Sequence, residues 1–226
     1  MTQQYFEETK VKEDIAKSVY SDEAELLRMV IRLHCPNAFE LDPTYSTGNF
    51  YKGIPQPKYR FDIEPQTEGV IQADCRKLPL ENESVASIMF DPPFVAGIGR
   101  DGKGRDGKPG IIRTRFGSYK SIEELWEMYR DALKEFHRIL KPNGMLVFKC
   151  QDTISSGKQY LSHVEIINTA INSGFYVKDL FILLASNRMM SPNMDIQYHA
   201  RKFHSYYIIM QKRPSRVVYT KQEEQL

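Results

Sequence analysis

Long apolar runs are missing from this 226-residue chain, and the longest, 180–185 and 206–210, fall far short of the ~18 residues a membrane span needs. The first residues, Met1-Thr-Gln-Gln-Tyr-Phe-Glu-Glu8, lack the basic and apolar regions of a signal peptide. Cysteine is scarce: Cys35, Cys75 and Cys150 form no CxxC pair, which argues against a disulfide framework or a zinc ribbon and fits a reducing, cytoplasmic setting. His and Cys are scattered, with none at ligand spacing around His199 and His204, so no metal is expected. Charge of either sign is nearly cancelled, 31 Lys and Arg against 29 Asp and Glu, so net charge alone says nothing about nucleic acid. A G-x-G-x-x-G turn is also absent, which removes the dinucleotide-dependent dehydrogenases.

What remains has the composition of a globular protein, with 41% hydrophobic and 27% charged residues. The pattern divides the chain into an N-terminal arm over 1–20, one domain over 21–212 and a solvated tail over 213–226. Ser21 followed by Asp22 and Glu23 reads as a helix start, with Leu26, Leu27, Val30, Ile31 and Leu33 forming its apolar stripe. Four short apolar runs then end in acids: 38–42 at Asp42, 59–62 at Asp62, 70–74 at Asp74 and 85–91 at Asp91. In open α/β sheets a ligand lies outside the carboxyl ends of the strands, so these acids should gather along one edge.

Ser121 and Glu124 form a capping-box pattern, and Ile122, Leu125, Trp126, Tyr129, Leu133, Phe136 and Leu140 give the helix a buried side that ends at Pro142-Asn-Gly144. His137 in the last turn suits the negative end of the helix dipole. A strand over 145–149 follows, with Lys149 and Asp152 at its end reading either as the rim of a ligand pocket or as a simple strand end, then a helix from about Gln159 to Ser173. Two final strands, 176–185 and 204–211, have no helix pattern between them and are expected to pair antiparallel.

Asp91-Pro92-Pro93-Phe94, directly after a strand, is the strongest chemical signal. Two prolines fix φ twice and remove two N–H donors, leaving rigid carbonyl acceptors beside a carboxylate and an aromatic face. Such a group suits a planar amine, whose protons can be held by carboxylate and carbonyl while Phe94 stacks on the ring. A Pro-Pro pair also simply ends a strand. Upstream, Leu41-Asp-Pro-Thr-Tyr-Ser46-Thr-Gly48-Asn-Phe50 is a small-residue turn of the kind that lets backbone approach a ligand.

Together these motifs resemble the class I S-adenosylmethionine-dependent methyltransferases, and Asp91 to Phe94 resembles the amino-methyltransferases of nucleobases, especially DNA adenine-N6 enzymes. The resemblance spans about residues 21–212. It implies an α/β, Rossmann-like fold with a seven-stranded, mostly parallel sheet and an antiparallel C-terminal hairpin. It further implies that Asp42, Ser46 and Gly48 lie against the methionine part of S-adenosyl-L-methionine, that Asp62 holds the ribose and that Asp74 meets the adenine amine. Asp91 and the Pro92 carbonyl would grip the target amine, with Pro93 and Phe94 completing the site. The family's first turn commonly carries two or more glycines; here Ser46, Thr47 and Asn49 surround Gly48, and Asn tolerates a left-handed conformation.

Seven of the 13 glycines fall in 95–120, together with seven basic and two acidic residues. The loop over 95–118, through Arg100, Lys103, Arg105, Lys108, Arg113 and Arg115, reads as a phosphate-binding arm or as a solvated loop. The segment 186–203 reads equally as a nucleic-acid contact or as a hairpin loop on the sheet edge. The expected activity is methylation of adenine N6 in DNA. Alternatives are the same reaction on RNA, or a catalytically silent methyltransferase fold that binds nucleic acid.

Overall fold

The structure is a computed structural model that describes residues 15–35, 37–94, 96, 119–185 and 198–213. The elements are β1 (Val19–Tyr20), α1 (Glu23–His34), β2 (Leu41–Asp42), β3 (Tyr59–Asp62), β4 (Ile71–Gln72), β5 (Val85–Phe90), α2 (Ile122–Ile139), β6 (Leu140–Cys150), β7 (Thr153–Ser155), β8 (Lys158–Tyr160), α3 (Ser162–Asn172), β9 (Phe175–Leu184) and β10 (His204–Lys212). The main sheet runs β1-β9-β10-β6-β5-β2-β3-β4, and β7 and β8 form a separate hairpin. From β4 to β6 the strands are parallel, while β10 is antiparallel to both β6 and β9. The expected α/β fold with an antiparallel terminal hairpin is therefore present.

Alternation along the central strands explains their unbroken apolar character. Phe90 of β5, Phe148 of β6 and Met210 of β10 bury on the face covered by α2 and α3. Met89, Val147 and Ile209, one residue away in each strand, bury on the opposite face beside Leu26, Leu27 and Val30 of α1. With both faces covered, a central strand has no polar side to show. Phe90 sits at the centre, its ring edge-on to Phe136 and to Phe148 at 4.8 Å each.

Among the described residues the sheet has eight strands rather than the seven expected. Val19 and Tyr20, assigned by sequence to an arm, pair parallel with Ile182 and Leu183 of β9. Burial of Tyr20 near Phe181, at 6.3 Å between ring centroids, draws that short segment onto the sheet edge. The first helix is capped by Asp22, which accepts from the Glu25 N–H at 2.7 Å, and not by Ser21. α2 stops at Ile139, and Pro142-Asn143-Gly144 interrupts β6 where its register with β5 shifts. A Cβ on Gly144 would lie 2.9 Å from the Lys141 carbonyl oxygen, so the strand passes only because no side chain is there. Gln159 belongs to β8, and α3 starts later, at Ser162.

His137 lies in the last turn of α2. Its ring stands edge-on to Phe175 at 5.4 Å, and burial lowers its pKa with the Lys212 charge acting in the same direction. No described helix is long and apolar enough to cross a membrane.

Phe136→Ala should destabilise the chain by about 3–5 kcal/mol, since it removes a fully buried ring and leaves a cavity under β5. The urea-unfolding midpoint checks this, and a loss below about 1 kcal/mol would mean that the site collapses around the smaller side chain.

Candidate active site

The chain proceeds outward from β2 through β3 to β4 on one side, then returns to place β5 and β6 on the other. Ligands of open α/β sheets lie at the carboxyl ends of the strands at such a reversal. A cleft of about 580 Å³ opens there, a volume in the range of cofactor sites. Asp42, Ser46, Gly48, Asp62, Asp74, Asp91 and Pro93 all line it, whereas Pro92 and Phe94 do not. Pro92 is buried and Phe94 is half-buried beside the cleft.

The four acids end up in different states. Asp42 is 3% exposed; its Oδ1 accepts from the Thr44 N–H at 2.7 Å and the Thr44 hydroxyl at 3.2 Å, and its Oδ2 accepts from the Tyr51 hydroxyl at 2.6 Å. Burial pushes its carboxyl up to about 7 in spite of those donors, and the charge of Asp91 adds to the rise. Asp62 accepts one backbone N–H at each oxygen, from Ser46 at 2.8 Å and from Glu64 at 2.9 Å. A carboxylate has about four acceptor positions, so both Asp62 oxygens can take a further donor.

Asp74 is more fully engaged. Its Oδ1 accepts from the Arg76 backbone N–H at 2.9 Å and from Nε at 3.0 Å, and its Oδ2 accepts from Nε at 3.0 Å and from the terminal guanidinium nitrogen at 2.6 Å. These bonds hold the Asp74 carboxyl below the usual carboxylate range. An adenine amine can reach Asp74 only if Arg76 gives up part of its hold.

The first turn is shaped by two left-handed residues, Ser46 at φ 52° and Gly48 at φ 70°. Asn49, the residue whose tolerance the sequence suggested, instead starts a short 3₁₀ turn over Asn49–Tyr51. A Cβ on Gly48 would lie 2.6 Å from Cζ of Tyr45, whose ring is stacked on Tyr51 at 5.5 Å. The single glycine therefore stands where both φ and space demand one, and Ser46 offsets its strained backbone by donating to Asp62.

Asp91 lies one residue beyond β5. Its N–H donates to the Thr44 hydroxyl at 3.2 Å, joining the ends of β5 and β2. Its Oδ2 accepts from Lys149 Nζ at 3.1 Å, while its Oδ1 is buried and has no hydrogen-bond partner among the described residues. Burial raises its pKa; Lys149 opposes that rise and Glu23 adds to it. The Pro93 carbonyl accepts from the Tyr129 hydroxyl, so α2 holds the Pro-Pro segment from below.

Lys149 also donates to Glu23 Oε1 at 2.7 Å, and Glu23 in turn accepts from the Tyr207 hydroxyl. The ammonium lies 5.1 Å from the Phe50 ring centroid, 5.6 Å from Tyr207 and 5.9 Å from Phe94, within cation–π range. Burial works against the charge of Lys149, but the two carboxylates prevail and hold its pKa above the usual lysine value.

Sequence reasoning put Lys149 at most on the pocket rim and did not find Glu23, Arg76 or the anchoring hydroxyl of Tyr129. The one legible signal was a lysine closing the otherwise apolar run Met145-Leu-Val-Phe-Lys149-Cys150. Asp152, considered beside it, instead binds His163 Nδ1 at 2.7 Å. Arg100, Lys103, Arg105, Lys108, Arg113 and Arg115 lie outside the described residues, as does most of 186–203. Among the described residues no group of three or more His, Cys, Asp or Glu could hold a metal ion.

Fold and cleft together define an α/β, Rossmann-like sheet with a ligand-sized cleft at the reversal of its strand order. The sequence pattern of the DNA methylase family, N6 and N4 methyltransferases, matches residues 85–226, well over half of the chain, and the chain belongs to that family. The match begins at β5, so it includes Asp91 to Phe94 and Lys149 but not Asp42 to Asp74. No curated protein matches the chain.

Among solved structures, TTHA0409 of Thermus thermophilus, assigned as a DNA modification methylase, is 19% identical over 73% of this chain and 58% of that one, with a TM-score of 0.44. The same protein is also known in complex with S-adenosyl-L-methionine, at 17% identity over 73% and 57% of the two chains and a TM-score of 0.43. PvuII DNA methyltransferase, cytosine-N4-specific, is 13% identical over 62% of this chain and 47% of that one, with a TM-score of 0.42. Similarity this distant concerns the fold alone, and the chain spans about half the length of these structures.

The state of Asp42 generates a pH dependence. Between about pH 4 and 7 the folded chain keeps a proton on Asp42 that the unfolded chain, with its ordinary pKa of 3.8, releases, so this group makes stability fall as pH rises through that window. Asp42→Asn cannot ionise. Its stability relative to the native chain should therefore be greater at pH 8 than at pH 4, by about 1–4 kcal/mol. Urea unfolding at both pH values checks this, and an equal difference at the two would contradict it.

Proposed function

We propose that this chain transfers the methyl group of S-adenosyl-L-methionine to the exocyclic N6 of adenine in DNA. The observation that carries the reading is Asp91 at the switch point of the sheet, with one carboxylate oxygen buried and unpartnered among the described residues. A buried acceptor without a donor costs about 1–3 kcal/mol, a cost recovered when a substrate amine fills it. Family membership supports the reaction class, and the family includes N4-cytosine enzymes as well as N6-adenine ones. Adenine is favoured because the tetrapeptide begins with aspartate, whereas cytosine-N4 enzymes resemble Ser or Thr-Pro-Pro-Tyr at that point.

The chain's own residues suit the cofactor. Asp62 has acceptor capacity left for two ribose hydroxyls, and the Ser46 to Gly48 turn brings backbone against the methionine part with no side chain at Gly48 in the way. Asp42 lies beside that turn, and Asp74 meets the adenine amine once Arg76 yields. The cofactor supplies a methyl group already activated by the positive sulfonium, so the protein's part is alignment and acceptance. Asp91 Oδ1 and the Pro92 carbonyl accept hydrogen bonds from the two amine protons, Pro93 is fixed by Tyr129, and Phe94 stacks on the base; as the N–CH3 bond forms the S–CH3 bond would break, leaving the neutral thioether, and one amine proton would leave the nitrogen. In duplex DNA the base must leave the stack to reach this site. Arg100, Lys103, Arg105, Lys108, Arg113 and Arg115 grip phosphates, and their replacement by alanine should weaken DNA binding and flatten its salt dependence.

The test is transfer of labelled methyl to unmethylated duplex DNA, single-stranded DNA and RNA, with nucleoside analysis of the products. N6-methyladenine in DNA is the expected result. N4-methylcytosine would replace the base, N6-methyladenine in RNA alone would replace the polymer, and no transfer to any of them would contradict the reading. Asp91→Ala should lower turnover by about 100-fold or more, with cofactor affinity close to native.

A further inference from the structure

We propose that Lys149 and Glu23 complete the catalytic centre: Lys149 is a positioning residue that clamps one oxygen of Asp91 and leaves the other to the substrate amine, and Glu23 clamps Lys149 in turn. The inference rests on the methyl-transfer reading above. Three groups from separate parts of the chain form an unbroken series: Asp91 Oδ2 is 3.1 Å from Lys149 Nζ, which is 2.7 Å from Glu23 Oε1. Glu23 is the first residue of α1, Lys149 the penultimate residue of β6, and all three line the same cleft. The Lys149 side chain is 12% exposed, and a buried ammonium persists only when paired.

The clamp does two things. A carboxylate can rotate about its last bond, and an amine accepted by Asp91 needs that rotation fixed; the Lys149 bond to Oδ2 fixes it and presents Oδ1 alone. The same bond sets charge. A protonated Asp91 would have a hydroxyl to donate, and an amine that must be held by its own protons needs an acceptor.

Among the described residues, the charged and titratable groups that face Asp91 come from several elements. Asp42 lies at the end of β2 and Tyr51 just after it, Glu23 on α1, Tyr129 on α2 and Tyr207 on β10. Lys149 is the one cation among them that contacts the carboxylate. Without it, burial and the negative charge of Glu23 would act unopposed.

The two partners therefore have opposite effects on Asp91. Lys149→Met, which keeps length and removes the charge, should move its titration up by about 1–3 pH units. Glu23→Gln, which keeps hydrogen-bonding groups for Lys149 and Tyr207, should move it down. Lys149→Arg should leave it near native. The direct readout is carboxyl ¹³C NMR of aspartate-labelled chain, with the Asp91 resonance identified by its loss in Asp91→Asn. Near-UV circular dichroism verifies that each variant is folded, and Glu23→Gln keeps the test decisive if Lys149→Met is not.

In activity, the acid limb of the kcat profile should move with the same signs. Opposite shifts in the two variants are the expected result, because loss of packing alone has no reason to reverse sign with the charge removed. An unmoved Asp91 midpoint, or equal movement in both variants, overturns the inference. If the native chain transfers methyl and Lys149→Met keeps the native profile, the positioning role fails while the proposed function stands. If the native chain transfers none, the proposed function fails, and the titration still decides whether the clamp exists.

Discussion

Taking a carboxylate out of water is the constraint around which this molecule is organised. Four strands of one sheet end in or beside aspartate, and the sheet brings those ends to a single cleft. Asp42 is buried and the other three are half-buried, and each is compensated differently. Asp42 is held by Tyr51 and Thr44 with its pKa near neutrality, Asp62 takes two backbone N–H groups, and Asp74 takes an arginine two residues on. Asp91 is compensated on one oxygen only. A molecule built for stability alone would have satisfied both. The half-satisfied carboxylate is therefore where the fold's requirements end and the chemistry's begin.

The surrounding architecture follows from holding that group still. Thr44 ties the Asp91 backbone to the β2 turn, Tyr129 ties Pro93 to α2, and the packed rings of Phe90, Phe136 and Phe148 fix the strand that presents it. Two prolines remove the remaining freedom of the segment. In the first turn one glycine suffices where two are common, because Ser46 takes the second left-handed position and is held there by Asp62. The residue that shapes the cofactor turn is thus coupled to the one proposed to hold the ribose.

The sheet class and the gathering of its acids were legible in the sequence because both are local patterns: an apolar run, a terminal aspartate, a Pro-Pro pair. The eighth strand was not, since two residues carry no period and its pairing depends on Tyr20 meeting Phe181 far along the chain. Helix and strand ends moved for similar reasons, as at Pro142-Asn143-Gly144, which stops a helix by propensity but here bulges a strand that neighbours hold on both sides. The partners of the acids were the hardest to see. Lys149 and Glu23 are 126 positions apart and Glu23 and Tyr207 are 184 apart, and no spacing rule links them. Arg76 was within reach of a local rule, because an arginine two residues after an aspartate can fold back on it, and Asp74 was read for the cofactor without that competitor.

The most direct test of the account is the structure of this chain with S-adenosyl-L-homocysteine and an adenine-containing DNA oligonucleotide bound together. The exocyclic amine of a flipped adenine is expected within hydrogen-bonding distance of Asp91 Oδ1, with Oδ2 still on Lys149. An amine held elsewhere, or Asp91 Oδ1 turned onto a group of the protein while a base occupies the cleft, would contradict it.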